Sequence, residues 1–144
     1  MKVESILKEK GGDVQTIRPD RDIATAVDKL RQGNVGALVV SSDGHTVEGI
    51  LSERDVVRGL AKHGGAALQL AVKDLMTAKV TACGPEDSIS HLMQLMTTRR
   101  IRHIPVVHEG RLAGIISIGD VVKSRLAELE LETTVLRDAY ITHS

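Results

Sequence analysis

The chain has 144 residues, the length of one ordinary domain or of two small units sharing a core. Its 19 lysines and arginines balance 19 aspartates and glutamates, which leaves no broad basic field to attract nucleic acid, and with no Trp, no Phe and one Tyr it lacks aromatic platforms for stacking single strands. The lone Cys83 excludes an internal disulfide and a cysteine zinc cluster, and it suits a reducing compartment. Met1-Lys2-Val3-Glu4-Ser5 carries no apolar signal core, and no apolar run is long enough to cross a membrane, so a cytoplasmic chain is expected.

In chain order, Val3-Glu4-Ser5-Ile6-Leu7 reads as a short lead-in turn. Val14 to Pro19 is a β-leaning run ending in proline. Ile23, Ala26, Val27 and Leu30 hold the spacing of one helical face, and Gly33-Asn34 is a helix stop. Ala37 to Val40 and Val47 to Leu51 bracket Ser42-Asp43-Gly44 as a hairpin, and a second helix starts at Ser52. Gly64-Gly65 falls in a link, after which the whole order returns. Val72-Lys73-Asp74-Leu75-Met76 repeats the lead-in and Val80 to Pro85 the first run; Ile89, Leu92, Met93 and Met96 repeat the helix face. Ile104 to Val107 and Leu112 to Ile116 form the second hairpin around Glu109-Gly110, and a last helix starts at Ser117.

The return is a duplication. Gly49-Ile50-Leu51-Ser52-Glu53-Arg54-Asp55-Val56-Val57-Arg58 and Gly114-Ile115-Ile116-Ser117-Ile118-Gly119-Asp120-Val121-Val122-Lys123 agree at six of ten positions. Val14, Pro19 and Ile23 recur at an offset of 66 as Val80, Pro85 and Ile89. The predicted fold class is α+β: two β-α-β-β-α repeats packed through their sheets with pseudo-twofold symmetry around a shared core, plus an extended C-terminal helix. The expected divisions are residues 1–65, 66–126 and 127–144. In the last of these, Val122, Leu126, Leu129, Thr133, Leu136 and Tyr140 are spaced 4, 3, 4, 3, 4, a seam of coiled-coil type. It packs either on its own domain or, the favoured reading, on a second chain.

Ser52-Glu53-Arg54-Asp55 and Ser117-Ile118-Gly119-Asp120 each lie where a strand passes into a helix. Ser-x-x-Asp is a capping-box pattern, and a cap alone would account for it. The same geometry also offers free helix N–H groups suited to phosphate, and a carboxylate that only accepts, suited to the hydroxyls of a ribose.

Taken together, the runs ending at Pro19 and Pro85, Ile101-Arg102-His103-Ile104-Pro105-Val106-Val107 and the paired Gly-Ile-x-Ser-x-x-Asp-Val-Val segments resemble the cystathionine-β-synthase (CBS) domain family across about residues 2 to 126. The resemblance implies a stand-alone regulatory pair that requires no cofactor and has no catalysis of its own. Such a pair binds an adenosine-containing ligand (AMP, ADP, ATP, NAD or S-adenosylmethionine) between the copies and signals to a protein partner not identified by the sequence. It also implies a homodimer. By the same resemblance Asp55 and Asp120 hold ribose, Ser52 and Ser117 contact ribose or phosphate, and Arg102 with His103 holds phosphate. The wider implied ligand set adds Thr16, Gly36, Ala37, Arg54, Thr81, Ile101, Ile104, Pro105 and Gly119. Gly36-Ala37 stands where the second copy has Arg102-His103, so the two sides differ in phosphate-binding power; Arg54, replaced by Gly119 in the second copy, is placed to compensate.

Two rivals stand beside this reading. One is a constitutive dimeric interaction protein with a vestigial nucleotide site, against which the intact Asp55, Asp120, Arg102 and His103 argue. The other is a small nucleotide hydrolase, against which the sequence offers no metal spacing among His45, His63, His91, His108 and His143 and no base beside Cys83. Walker and Rossmann phosphate loops are absent.

Overall fold

The computed structural model describes residues 1–143, with side chains through Tyr140. Ser144 and the side chain of His143, both in the expected C-terminal extension, lie outside the described residues. The first copy runs α1 (Val3–Lys10), β1 (Thr16–Ile17), α2 (Ile23–Gly33), β2 (Ala37–Val40), β3 (Gly49–Ser52) and α3 (Glu53–His63). A 3-10 turn, Gly64–Gln69, fills the expected link. The second copy runs α4 (Val72–Leu75), α5 (Ile89–Arg99), β4 (His103–His108), β5 (Arg111–Ser117) and α6 (Ile118–His143).

The helices start and stop for local reasons. The Asp22 carboxylate caps α2 by accepting from Thr25 N, and Ser88 caps α5 by accepting from His91 N. Asn34 ends α2 in the left-handed region at φ 49°, and Arg100 does the same for α5 at φ 54°. The tight turn of the second hairpin places Glu109 and Gly110 at φ 51° and 76°, the pair of positive values a two-residue hairpin turn requires.

In the first copy β1 pairs parallel with β2, and β2 antiparallel with β3. In the second, β4 and β5 pair antiparallel, and the expected strand over Val80–Pro85 shrinks to one parallel bridge, Cys83 to Val106. The cause is Pro105. It stands where the first copy has Val39, whose N–H donates to Gln15 O at 3.2 Å. Proline has no N–H to make the matching bond, so the parallel ladder stops after Cys83 N to Pro105 O and Val107 N to Cys83 O.

The buried apolar side chains form two clusters, one per copy, instead of the single shared core expected from the sequence. One gathers Ile23, Leu30, Leu38, Val40 and Leu51; the other gathers Ile89, Leu92, Ile104, Val106 and Ile116. Strand alternation leaves Ala37 and Val39 on the opposite face of β2, also buried but outside that cluster.

The lead-in segments are exchanged. α1, which precedes the first copy, supplies Val3 and Ile6 to the second copy's cluster, and α4, which precedes the second copy, supplies Val72 to the first. Matching backbone bonds fix each helix in place. Val3 N to Asp87 O, Glu4 N to Pro85 O and Ile89 N to Met1 O on one side correspond to Val72 N to Arg21 O, Lys73 N to Pro19 O and Ile23 N to Leu70 O on the other. This explains the recurring Gly49 and Gly114. A Cβ on Gly49 would lie 2.8 Å from Met76 Sδ, and one on Gly114 would overlap the Leu7 side chain, so each glycine admits one exchanged lead-in. α1 is accordingly a helix of eight residues and not the brief turn expected.

The last helix packs on the body only at its start. Val121 and Ser124 are buried, while every residue from Leu129 to Tyr140 is exposed. The tail does not fold back on its own domain. Among the described residues no helix is long and apolar enough to cross a membrane.

Candidate functional site

The turn from β3 into α3 builds the first element of the site. Ser52 Oγ accepts from Asp55 N at 3.3 Å, and Asp55 Oδ2 accepts from Ser52 N at 2.9 Å and from Ser52 Oγ at 3.1 Å. Ser-x-x-Asp is therefore a capping box, as its pattern alone implied. The box engages one carboxylate oxygen. Among the described residues the other, Oδ1, accepts only from the Thr77 hydroxyl, at the long distance of 3.4 Å.

Asp55 lines a cleft of about 200 Å³ between the copies. The hydroxyl-bearing Ser52, Thr77 and Thr81 line it too, with Gly36 and Ile101. Five cationic side chains converge there, Arg54 and Arg58 from α3, Lys79, Arg100 and Arg102, against the carboxylates of Glu53 and Asp55. None of the five is ion-paired within the described residues. His103 closes the floor, half-buried against Gly36, with burial pushing its imidazole below its ordinary pKa while Glu53 pulls the other way. At neutral pH it is the uncharged form that faces the cleft.

The second copy repeats the cap, but there the acid is already ion-paired. Ser117 N donates to Asp120 Oδ2 at 2.9 Å, and Asp120 N donates to Ser117 Oγ at 3.1 Å. The same Oδ2, however, also takes the Lys10 ammonium at 2.7 Å, while Lys10 Nζ donates further to Ile115 O at 2.9 Å. Burial works against ionisation of Asp120, but Lys10 and the Ser117 N–H outweigh it and hold the carboxyl below its usual range. Lys10 and Lys79 correspond at an offset of 69, the offset relating the two lead-ins. One closes its acid; the other is left facing the open cleft.

Of the residues singled out from sequence, the structure brings Gly36, Ser52, Arg54, Asp55, Thr81, Ile101, Arg102 and His103 to one cleft. Ser117 and Asp120 lie outside its lining, and Ala37, Ile104 and Pro105 are buried in strands. Thr16 faces a separate shallow groove beside Arg18 and Lys29, and Gly119 one along α6 beside Val122 and Leu126. Arg54, expected to compensate for Gly36-Ala37 on its own side, lines the same cleft as Arg102. Arg58, Thr77, Lys79 and Arg100 also line this cleft and are not among the residues singled out from sequence. Arg58 was readable as one helical turn beyond Arg54, and Lys79 from its repeat of Lys10. Cys83 is buried, and burial, then the nearby Asp87 charge, pushes its thiol up to about 12, which leaves it inert. Among the described residues no cluster of His, Cys, Asp or Glu could hold a metal ion.

The family model of the CBS domain matches residues 3–62 and again residues 72–127. The chain belongs to the CBS-domain family. The CBS domain-containing protein CBSX3, mitochondrial, of Arabidopsis thaliana is 37% identical over 147 residues, covering 96% of this chain and 71% of that protein. Among solved structures, the CBS-domain containing protein ATU1752 from Agrobacterium tumefaciens is similar at a TM-score of 0.84 and 47% identity, over 87% of this chain and 99% of that one. The CBS domain pair of protein MJ0100, solved in complex with 5′-methylthioadenosine and S-adenosyl-L-methionine, shares the fold at a TM-score of 0.78 and 22% identity, over 89% of this chain and 98% of that one. The tandem CBS pair read from the duplication is thus the architecture of the whole chain up to residue 127.

Proposed function

We propose that this CBS pair is a regulatory module that binds an adenine nucleotide (AMP, ADP, ATP or NAD) in the Asp55 cleft and signals to a protein partner without catalysing a reaction. The observation that carries the reading is the pooling of five cations, none of them ion-paired among the described residues, beside the carboxylates of Asp55 and Glu53. A ribose offers hydroxyl donors to Asp55 Oδ1, and phosphate offers oxygens to Arg54, Arg58, Lys79, Arg100 and Arg102. The ligands of MJ0100 are consistent with this, in that its fold accommodates adenosine compounds. The cleft lies between the copies, so a ligand bridging Asp55 of the first and Arg102 of the second ties its binding free energy to their relative position, and a partner sensitive to that position reads it.

Calorimetric titration with adenosine, AMP, ADP, ATP, NAD, NADH and S-adenosylmethionine tests the proposal, with the same panel repeated on Arg102→Ala. The wild type is expected to bind at least one of these compounds. The variant is expected to lose roughly tenfold or more for phosphate-bearing ligands, from loss of a charged hydrogen bond of about 1.5–3 kcal/mol, while adenosine is little affected. Equal losses for adenosine and AMP would assign Arg102 a structural role, and no heat with any compound would end the reading.

A further inference from the structure

The two lead-in helices repeat one another in sequence, yet they end differently. α4 stops after Leu75, and Thr77 then pairs with Ile50 of β3: Ile50 N donates to Thr77 O at 3.0 Å, and Thr77 N to Ile50 O at 2.8 Å. In α1 the matching residue, Lys8, is still helical, and the helix runs on to Lys10 before Gly11 ends it at φ 87°. The cause is local. Lys8-Glu9-Lys10 is a run of good helix formers, whereas the β-branched Thr77 favours extended chain.

The added turn changes what β5 meets. Ile115 is the repeat of Ile50, and its carbonyl accepts from the Lys10 ammonium at 2.9 Å where that of Ile50 accepts from a backbone N–H. The same ammonium pairs with Asp120 at 2.7 Å, and both side chains are partly covered there, at 35% and 24% exposed. Gly11-Gly12-Asp13, which have no counterpart between Lys79 and Val80, take up the extra chain. They run close over β5: a Cβ on Gly12 would lie 3.3 Å from Ala113 O. Lys79, with no helical turn to carry it away, faces the open cleft among the other cations.

We propose that the last turn of α1 is a built-in occupant of the second copy's acid. Lys10 takes the place at Asp120 that a ribose takes at Asp55, so the chain holds one adenosine compound, and Lys10 is the residue that decides the number. This rests on the reading of Asp55 as the ribose acceptor. A ribose hydroxyl brings Asp120 a neutral donor in exchange for a charged one, and the exchange also costs Lys10 its bond to Ile115 O. Asp55 offers no such resistance, since its Oδ1 gives up only the long bond from Thr77.

Side-chain carboxyl NMR of the full chain with isotope-labelled aspartate tests the proposal, each signal assigned by its loss in Asp55→Ala or Asp120→Ala. Adenosine and AMP are the probes. Adenosine is included because Gly119 stands where the first copy has Arg54, which leaves the side of Asp120 poorer in cations for a phosphate. In wild type both compounds are expected to shift the Asp55 signal and leave Asp120 unmoved, with calorimetry giving one molecule per chain. In Lys10→Met and Lys10→Ala, each checked for folding by circular dichroism, adenosine is expected to shift both signals and the number to rise to two, while the Asp55 response stays as it was. Lys10→Arg keeps a cation able to pair with Asp120 and should behave as wild type. A wild-type chain in which Asp120 shifts alongside Asp55 would overturn this inference and leave the nucleotide reading standing. So would Lys10→Met and Lys10→Ala chains in which Asp55 alone responds. Silence of both acids toward both probes in every protein would overturn the two readings together.

Discussion

Replacing Asp55 with alanine is expected to weaken AMP binding by roughly ten- to a hundred-fold, the worth of a charged hydrogen bond of about 1.5–3 kcal/mol, while Asp120→Ala changes it little. The two acids hold equivalent places in the repeat and differ in what already satisfies them. Asp55 keeps one oxygen with only a 3.4 Å bond to Thr77, whereas Asp120 is neutralised by the Lys10 ammonium at 2.7 Å. Both acids also cap a helix, so each variant loses about 0.5–2 kcal/mol of stability on that account, and unfolding curves must accompany the titrations. The Asp120 variant carries a second signature. In the wild type the Asp120 carboxyl titrates lower in the folded chain than in the unfolded one. The stability it supplies is thus complete above the unfolded carboxylate pKa and fades as pH falls through the lower folded value, because the unfolded state binds the proton first. The alanine variant should lack that part of the wild-type acid sensitivity. Equal loss of AMP affinity at the two positions would show that Lys10 does not close the second acid.

Deleting the first ten residues is expected to unfold the second copy and leave no cooperative transition at ordinary temperature. Val3 is fully buried and Ile6 is 6% exposed, both within the second copy's cluster. Losing them forfeits about 3–6 kcal/mol of burial, and three backbone bonds to Asp87, Pro85 and Ile89 go with it. A domain of this size has a total stability of about 5–15 kcal/mol, so the loss takes a large share of it. Urea unfolding followed by circular dichroism measures this; a truncated chain that unfolds within about 1 kcal/mol of the wild type would contradict the exchanged packing.

The fold was legible where repetition and periodicity speak directly. Two copies of Gly-Ile-x-Ser-x-x-Asp fixed two strand-to-helix junctions, and the spacing of Ile23, Ala26 and Leu30 fixed a helix face. Pro105 was visible, but the N–H it lacks counts only once Val39 is known to donate to Gln15, a pairing between segments far apart in sequence. The site was half legible for the same reason. Asp55 and Arg102 carry motif signals, yet they come from different copies, and nothing in either motif says that they line one cleft. The difference between Asp55 and Asp120 could not be read from their own surroundings, because the residue responsible, Lys10, sits 110 positions away.

The exchange of lead-in helices separates the unit that repeats from the unit that folds. A segment cut at the repeat boundary would keep α1, whose receptor is on the other half, and would lack α4, whose place on its own cluster would lie open. Its remedy would be a reciprocal trade with another such fragment, in which each donates the helix it cannot use. Joining the two copies in one chain replaces that concentration-dependent trade with an internal one, at the high local concentration a short link imposes. Neither half is an independent module, and a substitution at Val3 or Val72 is felt in the half to which its own repeat does not belong.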